Sequence, residues 1–109
     1  SNNQLKKEAR KFDSLRSTGT DEVRQRKLTF SSEIDVRGMR GDEALQAVMY
    51  FIDDAIMVGV SGVRILHGTG TGALRQMIRQ YLPTINGIRT FRDEHIQFGG
   101  AGITVVEFE

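Results

Sequence analysis

His67-Gly68-Thr69-Gly70-Thr71-Gly72-Ala73-Leu74-Arg75 is the stretch that decides the fold of this chain. The apolar run before it, residues 63–66, predicts a buried strand, and the helical spacing that follows predicts a helix over residues 71–82. The three glycines let the backbone approach a ligand closely, and the first N–H groups of a helix are free to bind an anion. The stretch therefore predicts a strand–turn–helix unit that binds phosphate, with a histidine beside it.

The remaining hydrophobic patterns place this unit within a small α/β fold. They predict strands over residues 33–37, 88–92 and 103–108, and a first helix that begins at Asp42 and ends at Gly59. The element order is then β-α-β-α-β-β. Because β-α-β crossovers are right-handed, the first three strands should run parallel and both helices should cover one face. We therefore predict a two-layer α/β sandwich with a mixed four-stranded sheet.

Two of the predicted turns meet at one edge of this sheet. Ligands of open α/β sheets bind at the carboxyl ends of the parallel strands. Arg37 and Gly38 follow the first predicted strand, and His67 and Gly68 follow the second. We expect a guanidinium, an imidazole and a row of backbone amides at the same edge.

Composition excludes several classes of protein and site. The chain has 109 residues and a net charge of +1, which fits one small domain. It contains no cysteine, so neither a disulfide framework nor a thiolate metal site can form. Since no apolar run is long enough to span a membrane and no signal peptide is visible, we expect no membrane partner and a cytoplasmic location.

Residues 1–31 are predicted to form a flexible basic arm rather than part of the fold. They carry eight lysines and arginines against four acidic residues and have little apolar periodicity. Such a segment is typical of a linker, so we expect a piece of a longer protein, and a monomer when that piece is isolated. Two interpretations stay open for the arm, a solvated linker or a segment that follows a nucleic-acid backbone.

Three motifs resemble those of the Smr (small MutS-related) domain family. Ile34-Asp35-Val36-Arg37-Gly38 is similar to its Leu-Asp-Leu-Arg-Gly opening, and residues 67–75 resemble its His-Gly-x-Gly-x-Gly-x-Leu-Arg signature. Residues 99–107 resemble its glycine-rich closing strand. The resemblance covers residues 32–109 and is strongest to the carboxyl-terminal domain of the second bacterial MutS subfamily. Arg40-Gly41 departs from the family pattern, where a capping residue such as threonine often precedes the first helix.

The resemblance implies a fold and an activity. The fold would be similar to the carboxyl-terminal domain of translation initiation factor three. The activity would be that of an endonuclease, a phosphodiester hydrolase that nicks DNA and in some members cleaves RNA. The chain would then be the end of a longer MutS-type ATPase linked to suppression of homologous recombination, a group also linked to rescue of collided ribosomes.

A cleavage mechanism can be assigned to residues at the predicted edge. The unperturbed pKa of a histidine lies near neutrality, so His67 could act as general acid or base. The Arg37 guanidinium and the backbone amides would stabilise charge on the phosphate oxygens, and Asp35 would orient Arg37. We predict that phosphate is bound by Gly68, Thr69, Gly70, Thr71, Gly72 and Arg75. Replacement of His67 by alanine should abolish cleavage and leave nucleic-acid binding largely intact.

Each of these residues also has a structural interpretation. His67 could be a hydrogen-bonded residue at the rim, and Asp35 could simply pair with Arg37. Arg75 and Arg79 lie four residues apart and could be the solvated face of their helix. The glycines also fit a dinucleotide-binding fingerprint, with Asp93 as the ribose-binding acid, but the chain is too short for two mononucleotide halves.

Two functions and two cofactor states therefore stay open. The first function is nucleic-acid cleavage. The alternative is a non-catalytic module that binds nucleic acid or the ribosome, with RNA or collided ribosomes as its target. The sequence requires no cofactor and indicates no protein-built metal site. Mg²⁺ or Mn²⁺ held by Asp35 and a substrate phosphate is the alternative.

Overall fold

A computed structural model describes residues 30–109, which form two helices and four strands. The order β-α-β-α-β-β is confirmed. The elements are β1 Glu33–Asp35, α1 Gly41–Val58, β2 Gly62–Leu66, α2 Ala73–Tyr81, β3 Ile88–Asp93 and β4 Ile103–Phe108. Short 3₁₀ turns follow α2 at Leu82–Thr84 and precede β4 at Ile96–Phe98 and Gly100–Gly102. The predicted arm lies outside the described residues except for Phe30 and Ser31, and it stays a prediction.

Two predicted boundaries are wrong by two residues for local reasons. The strand predicted over 33–37 ends at Asp35, because the chain turns at Gly38, which has φ +78°. The helix predicted from residue 71 begins at Ala73, because Gly72 precedes it with φ +78°, a left-handed conformation that no helix continues through.

The sheet is mixed, with the order β1-β2-β4-β3. β1 and β2 are parallel, whereas β4 is antiparallel to both of its neighbours, β2 and β3. The first three strands therefore run in one direction, as predicted, and β4 is inserted between β2 and β3. This arrangement brings the ends of β1, β2 and β3 and the start of β4 to one edge of the sheet.

Both helices pack on the same face of the sheet. Along α1 the buried side chains are Ala44, Val48, Ile52, Ala55 and Val58. Ile56 is 39% exposed, because the buried stripe continues from Ala55 to Val58.

The unusual Arg40-Gly41 pair has a structural explanation. Arg40 provides no side-chain hydrogen bond to the start of α1, so the helix begins without a side-chain cap. A Cβ atom on Gly41 would lie 2.8 Å from the sulfur of Met77 in α2. Glycine therefore lets α2 pack closely against the first turn of α1.

Neither helix within residues 30–109 combines the length and apolarity of a membrane span.

Candidate functional site

Three loops converge at the shared edge of the sheet. The loop after β1 starts beside β2, where the Val36 N–H donates to the Leu66 carbonyl at 2.9 Å. The loop after β2 is joined to the start of β4, because the N–H groups of His67 and Gly68 both donate to the Gly102 carbonyl, at 3.1 and 2.9 Å. The structure therefore brings together the two turns that the sequence places at this edge.

Asp35 and Arg37 form a bidentate ion pair at the end of β1. The Arg37 Nε and Nη2 atoms donate to the two carboxylate oxygens at 2.9 and 2.7 Å, and the Arg37 backbone N–H donates to Oδ1 at 3.0 Å. These hydrogen bonds lower the pKa of Asp35 to about 2, so its carboxylate is charged at any physiological pH. Both side chains are exposed, so the pair contributes little to folding but fixes the direction of the guanidinium.

The Arg37 side chain lies directly on the glycine loop, residues 67–72. A Cβ atom on Gly68 would lie 3.6 Å from Arg37 Cγ. Gly68, Gly70 and Gly72 have φ angles of +79°, +25° and +78°, which side-chain-bearing residues rarely adopt. The predicted need for glycine in this turn therefore has two causes, the backbone conformation and the contact with Arg37.

The backbone amides of the glycine loop divide into two groups. The N–H groups of Gly68 and Gly72 donate to the carbonyls of Gly102 and Thr69. Those of Thr69, Gly70 and Thr71 have no acceptor among residues 30–109. Three of the five amides predicted to bind phosphate are therefore available to a ligand, and the other two hold the loop in place.

A cleft of about 310 Å³ lies beside these amides. Its lining includes Gly41 and Ala73, the first residues of α1 and α2, together with Gly38, Met39, Met77 and the glycine loop. The amino ends of two helices thus border one cleft. Both helix dipoles place partial positive charge there, which favours an anion.

His67 is buried at the base of the glycine loop, with only 5% of its surface exposed. Its Nδ1 atom lies 2.9 Å from the Gly68 carbonyl oxygen, and its Nε2 atom lies 2.8 Å from Thr104 Oγ1. Because a carbonyl can only accept, the neutral ring carries its proton on Nδ1, and Nε2 accepts from the Thr104 hydroxyl. Burial lowers the pKa of His67, which favours this neutral ring.

Thr104 connects His67 to a charged network that the sequence analysis missed. Arg79 Nε and Nη2 donate to Thr104 Oγ1 at 3.2 and 3.1 Å, and Arg79 Nη2 also donates to Asp93. The hydroxyl therefore donates once, to the imidazole, and accepts from the guanidinium. The interpretation of Arg79 as part of a solvated helix face is wrong, since this side chain folds onto the sheet and lies 5.7 Å from the centre of the Phe91 ring.

Arg75 belongs to the same network. Its Nη2 atom donates to Asp93 at 2.9 Å, and this hydrogen bond is the main cause of the lowered pKa of Asp93. The Nε atom of Arg75 is buried and has no hydrogen-bond partner among the described residues. Arg75 is thus held at the start of α2 with its buried Nε donor uncommitted.

Replacement of Thr104 by valine is expected to lower the free energy of unfolding by about 1–3 kcal/mol, because the isosteric side chain leaves the buried Nε2 atom of His67 without a donor. Urea denaturation measures this loss. Thr90→Val is the matched control, since Thr90 is exposed on the neighbouring strand β3. Equal stability of the two variants would contradict the network.

The acidic and histidine side chains of residues 30–109 include no group of three that could hold a metal ion. Asp35 is the residue that the sequence analysis assigned to Mg²⁺ or Mn²⁺, and both of its carboxylate oxygens accept from Arg37. A cation at Asp35 would have to displace this guanidinium or share the carboxylate with it. The arrangement favours anion binding by Arg37 over cation binding by Asp35.

Comparisons with known proteins agree with the three motifs. The family model for the Smr domain matches residues 34–109. The chain is 44% identical over 79 residues to Endonuclease MutS2 of Geobacillus thermodenitrificans, covering 72% of this chain and 10% of that protein. It is 42% identical over 87 residues to Endonuclease MutS2 of Bacillus thuringiensis, covering 80% of this chain and 11% of the relative. The chain thus spans about a tenth of the length of these relatives.

Two solved structures share the fold. The Smr domain of Thermus thermophilus MutS2 superposes with a TM-score of 0.68 at 43% identity, over 71% of this chain and 96% of that one. YdaL, a stand-alone small MutS-related protein from Escherichia coli, gives a TM-score of 0.68 at 20% identity, over 72% of this chain and 64% of its own.

Proposed function

This chain belongs to the Smr domain family, and we propose that it is an endonuclease domain that nicks DNA at the site formed by Arg37 and the glycine loop. Relatives of this chain carry the name Endonuclease MutS2, and it spans about a tenth of their length. Its place at the carboxyl-terminal end of a MutS-type ATPase linked to suppression of homologous recombination is part of the proposal. The DNA phosphodiester is the proposed substrate.

The observation that carries the proposal is the convergence of donors beside the cleft. Asp35 accepts from two of the five N–H groups of Arg37, which leaves three for a phosphate. The unpaired amides of Thr69, Gly70 and Thr71 lie in the loop that Arg37 contacts. A phosphate bound at the glycine loop, where Arg37 contacts Gly68, would be held by a guanidinium and main-chain donors together.

This arrangement suits the transition state of phosphodiester cleavage. Attack by water increases the negative charge on the phosphate oxygens, and donors that are already in position stabilise that charge without reorganising. Asp35 is the residue that orients Arg37. His67 as the proton-transfer group stays a prediction. The hydrogen bonds of its ring favour a positioning role, because they hold the Gly68 carbonyl and Thr104.

Incubation of the purified chain with supercoiled plasmid tests the proposal. We expect conversion to the open circular form, which an agarose gel resolves from the supercoiled form. Reactions with excess chelator, with Mg²⁺ and with Mn²⁺ determine whether a divalent cation takes part. Plasmid that stays supercoiled under all three conditions would overturn the proposed nicking activity.

The geometry of His67 favours a second candidate, a non-catalytic module that binds nucleic acid or the ribosome. Both ring nitrogens have partners within the protein, so neither is directed at a substrate in this structure. Fluorescence anisotropy with labelled DNA and RNA oligonucleotides separates the candidates. Binding without any strand cleavage would support the module, and RNA preference would point to an RNA or ribosomal target.

A further inference from the structure

The loop between β3 and β4 exposes two large apolar side chains. Ile96 is 89% exposed and Phe98 is 63% exposed. Both lie at the edge of the sheet where the candidate site is found, because this loop connects the end of β3 to the start of β4. Exposed apolar side chains beside a binding site are typical of ligand contact rather than of folding.

The loop that carries these side chains is held by many hydrogen bonds. The Phe98 N–H donates to the His95 carbonyl at 2.8 Å, and the Gly100 N–H donates to the same carbonyl at 3.1 Å. The Gln97 N–H donates to His95 Nδ1 at 3.3 Å. The His95 and Phe98 rings lie 5.9 Å apart at an angle of 53°. The hydrogen-bonded structure of the loop therefore holds the Phe98 side chain in its exposed position.

Arg64 of β2 fixes this loop over the sheet face opposite the helices. Its Nη2 atom donates to the Phe98 carbonyl at 3.1 Å, and its Nε atom donates to Glu94 at 2.8 Å. Arg64 also pairs with Glu33, its cross-strand neighbour on β1. Asp35 lies two residues beyond Glu33, so it points to the same face. Phe98 and the Asp35–Arg37 pair consequently share one face and one edge of the sheet.

We infer that Phe98 is a stacking platform for a nucleobase adjacent to the phosphate that Arg37 and the glycine loop bind. The inference rests on the proposed function, because the stacked base belongs to the nucleic-acid strand whose phosphate is bound at the proposed site. Aromatic side chains bind unstacked bases of any sequence through their ring faces, and apolar side chains such as Ile96 insert between base steps. The site would then hold a nucleotide through both its phosphate and its base, and would favour unpaired over fully stacked strands.

Binding of single-stranded oligonucleotides to the full chain tests the platform. One set of DNA and RNA oligonucleotides has normal bases with 2-aminopurine at the centre, and a matched DNA set has abasic sites at three central positions. We expect Phe98→Ala to weaken binding of the base-containing strands by about tenfold. Phe98→Ala should bind the abasic strand as tightly as the wild-type chain does. It should also lack the quenching of 2-aminopurine fluorescence that we expect for the wild-type chain.

Two variants control for general effects. Phe98→Trp should restore both affinity and quenching, because the larger ring also stacks. Tyr50→Ala removes an aromatic side chain of the same 63% exposure from α1 and should bind like wild type. If Phe98→Ala lost as much affinity for the abasic strand as for the normal strand, or lost no affinity at all, the platform would be overturned. The proposed function would still stand in that case, provided that the wild-type chain binds and nicks DNA. A wild-type chain that neither binds nor nicks would overturn both.

Discussion

Replacement of Arg37 by alanine is expected to reduce plasmid nicking by about 100-fold, the usual cost of removing one donor from a charge-stabilising site. The Asp35 carboxylate and the contact with Gly68 hold this guanidinium at the glycine loop. Alanine removes the donors without disturbing the core, since the Arg37 side chain is 59% exposed. Gel quantification of open circular plasmid over time measures the rate.

Two further variants make the Arg37 result specific. Arg89→Ala removes an arginine of similar exposure, 62%, whose partner is Glu107 rather than a residue of the site, and it should nick like wild type. Arg37→Lys keeps the charge but loses the planar fork, so it should restore little of the activity. Nicking by Arg37→Ala at the wild-type rate would remove Arg37 from the mechanism.

The element order could be predicted because each element is encoded locally. Alternating residues predict β1, the stripe through Val48 and Ile52 predicts α1, and the glycines of the loop after β2 predict a turn. Strand order could not be predicted in the same way. The insertion of β4 between β2 and β3 depends on pairings such as Leu66 with Ile103, which are distant in sequence.

The sequence also predicts which turns meet at the site, because the carboxyl ends of parallel strands share an edge. It did not predict what His67 contacts. Thr104 lies among apolar residues in Ile103–Phe108, where a threonine is typical of an ordinary β-branched strand residue. The available signal was its strand register, which places Thr104 opposite Asp93 and on the inward face with Val106. The hydrogen-bond partner of the buried His67 therefore depends on the pairing of strands that are distant in sequence.

Replacement of His67 by alanine is expected to lower the free energy of unfolding by about 3 kcal/mol at neutral pH. The change leaves a cavity at a buried site, and it removes the donor to the Gly68 carbonyl and the acceptor of the Thr104 hydroxyl proton. Urea denaturation measures the loss. His95→Ala is the matched control, because it removes the other imidazole from an exposed position. A His67→Ala variant as stable as this control would contradict the hydrogen-bonding role.

The same pair of variants has a pH signature. Burial lowers the pKa of His67 in the folded protein, whereas the unfolded chain has the ordinary value of about 6.5. The unfolded state therefore binds more protons below that pH. The contribution of His67 to stability is complete above pH 6.5 and falls as the pH drops towards the folded pKa, by up to about 1.4 kcal/mol per pH unit. His67→Ala should lack this component of the wild-type slope between pH 7.5 and 5.5, and an unchanged slope would contradict a buried neutral ring.

Nicking by His67→Asn then separates positioning from proton transfer. The asparagine amide can donate to the Gly68 carbonyl as Nδ1 does, but it cannot act as an acid or base near neutrality. If His67 positions the glycine loop, His67→Asn should recover much of the nicking that His67→Ala loses. Catalysis by the imidazole predicts that both variants are inactive while DNA binding persists. Unchanged cutting by His67→Ala would exclude both roles, because neither a proton donor nor a support for the phosphate-binding amides would then be needed at this position.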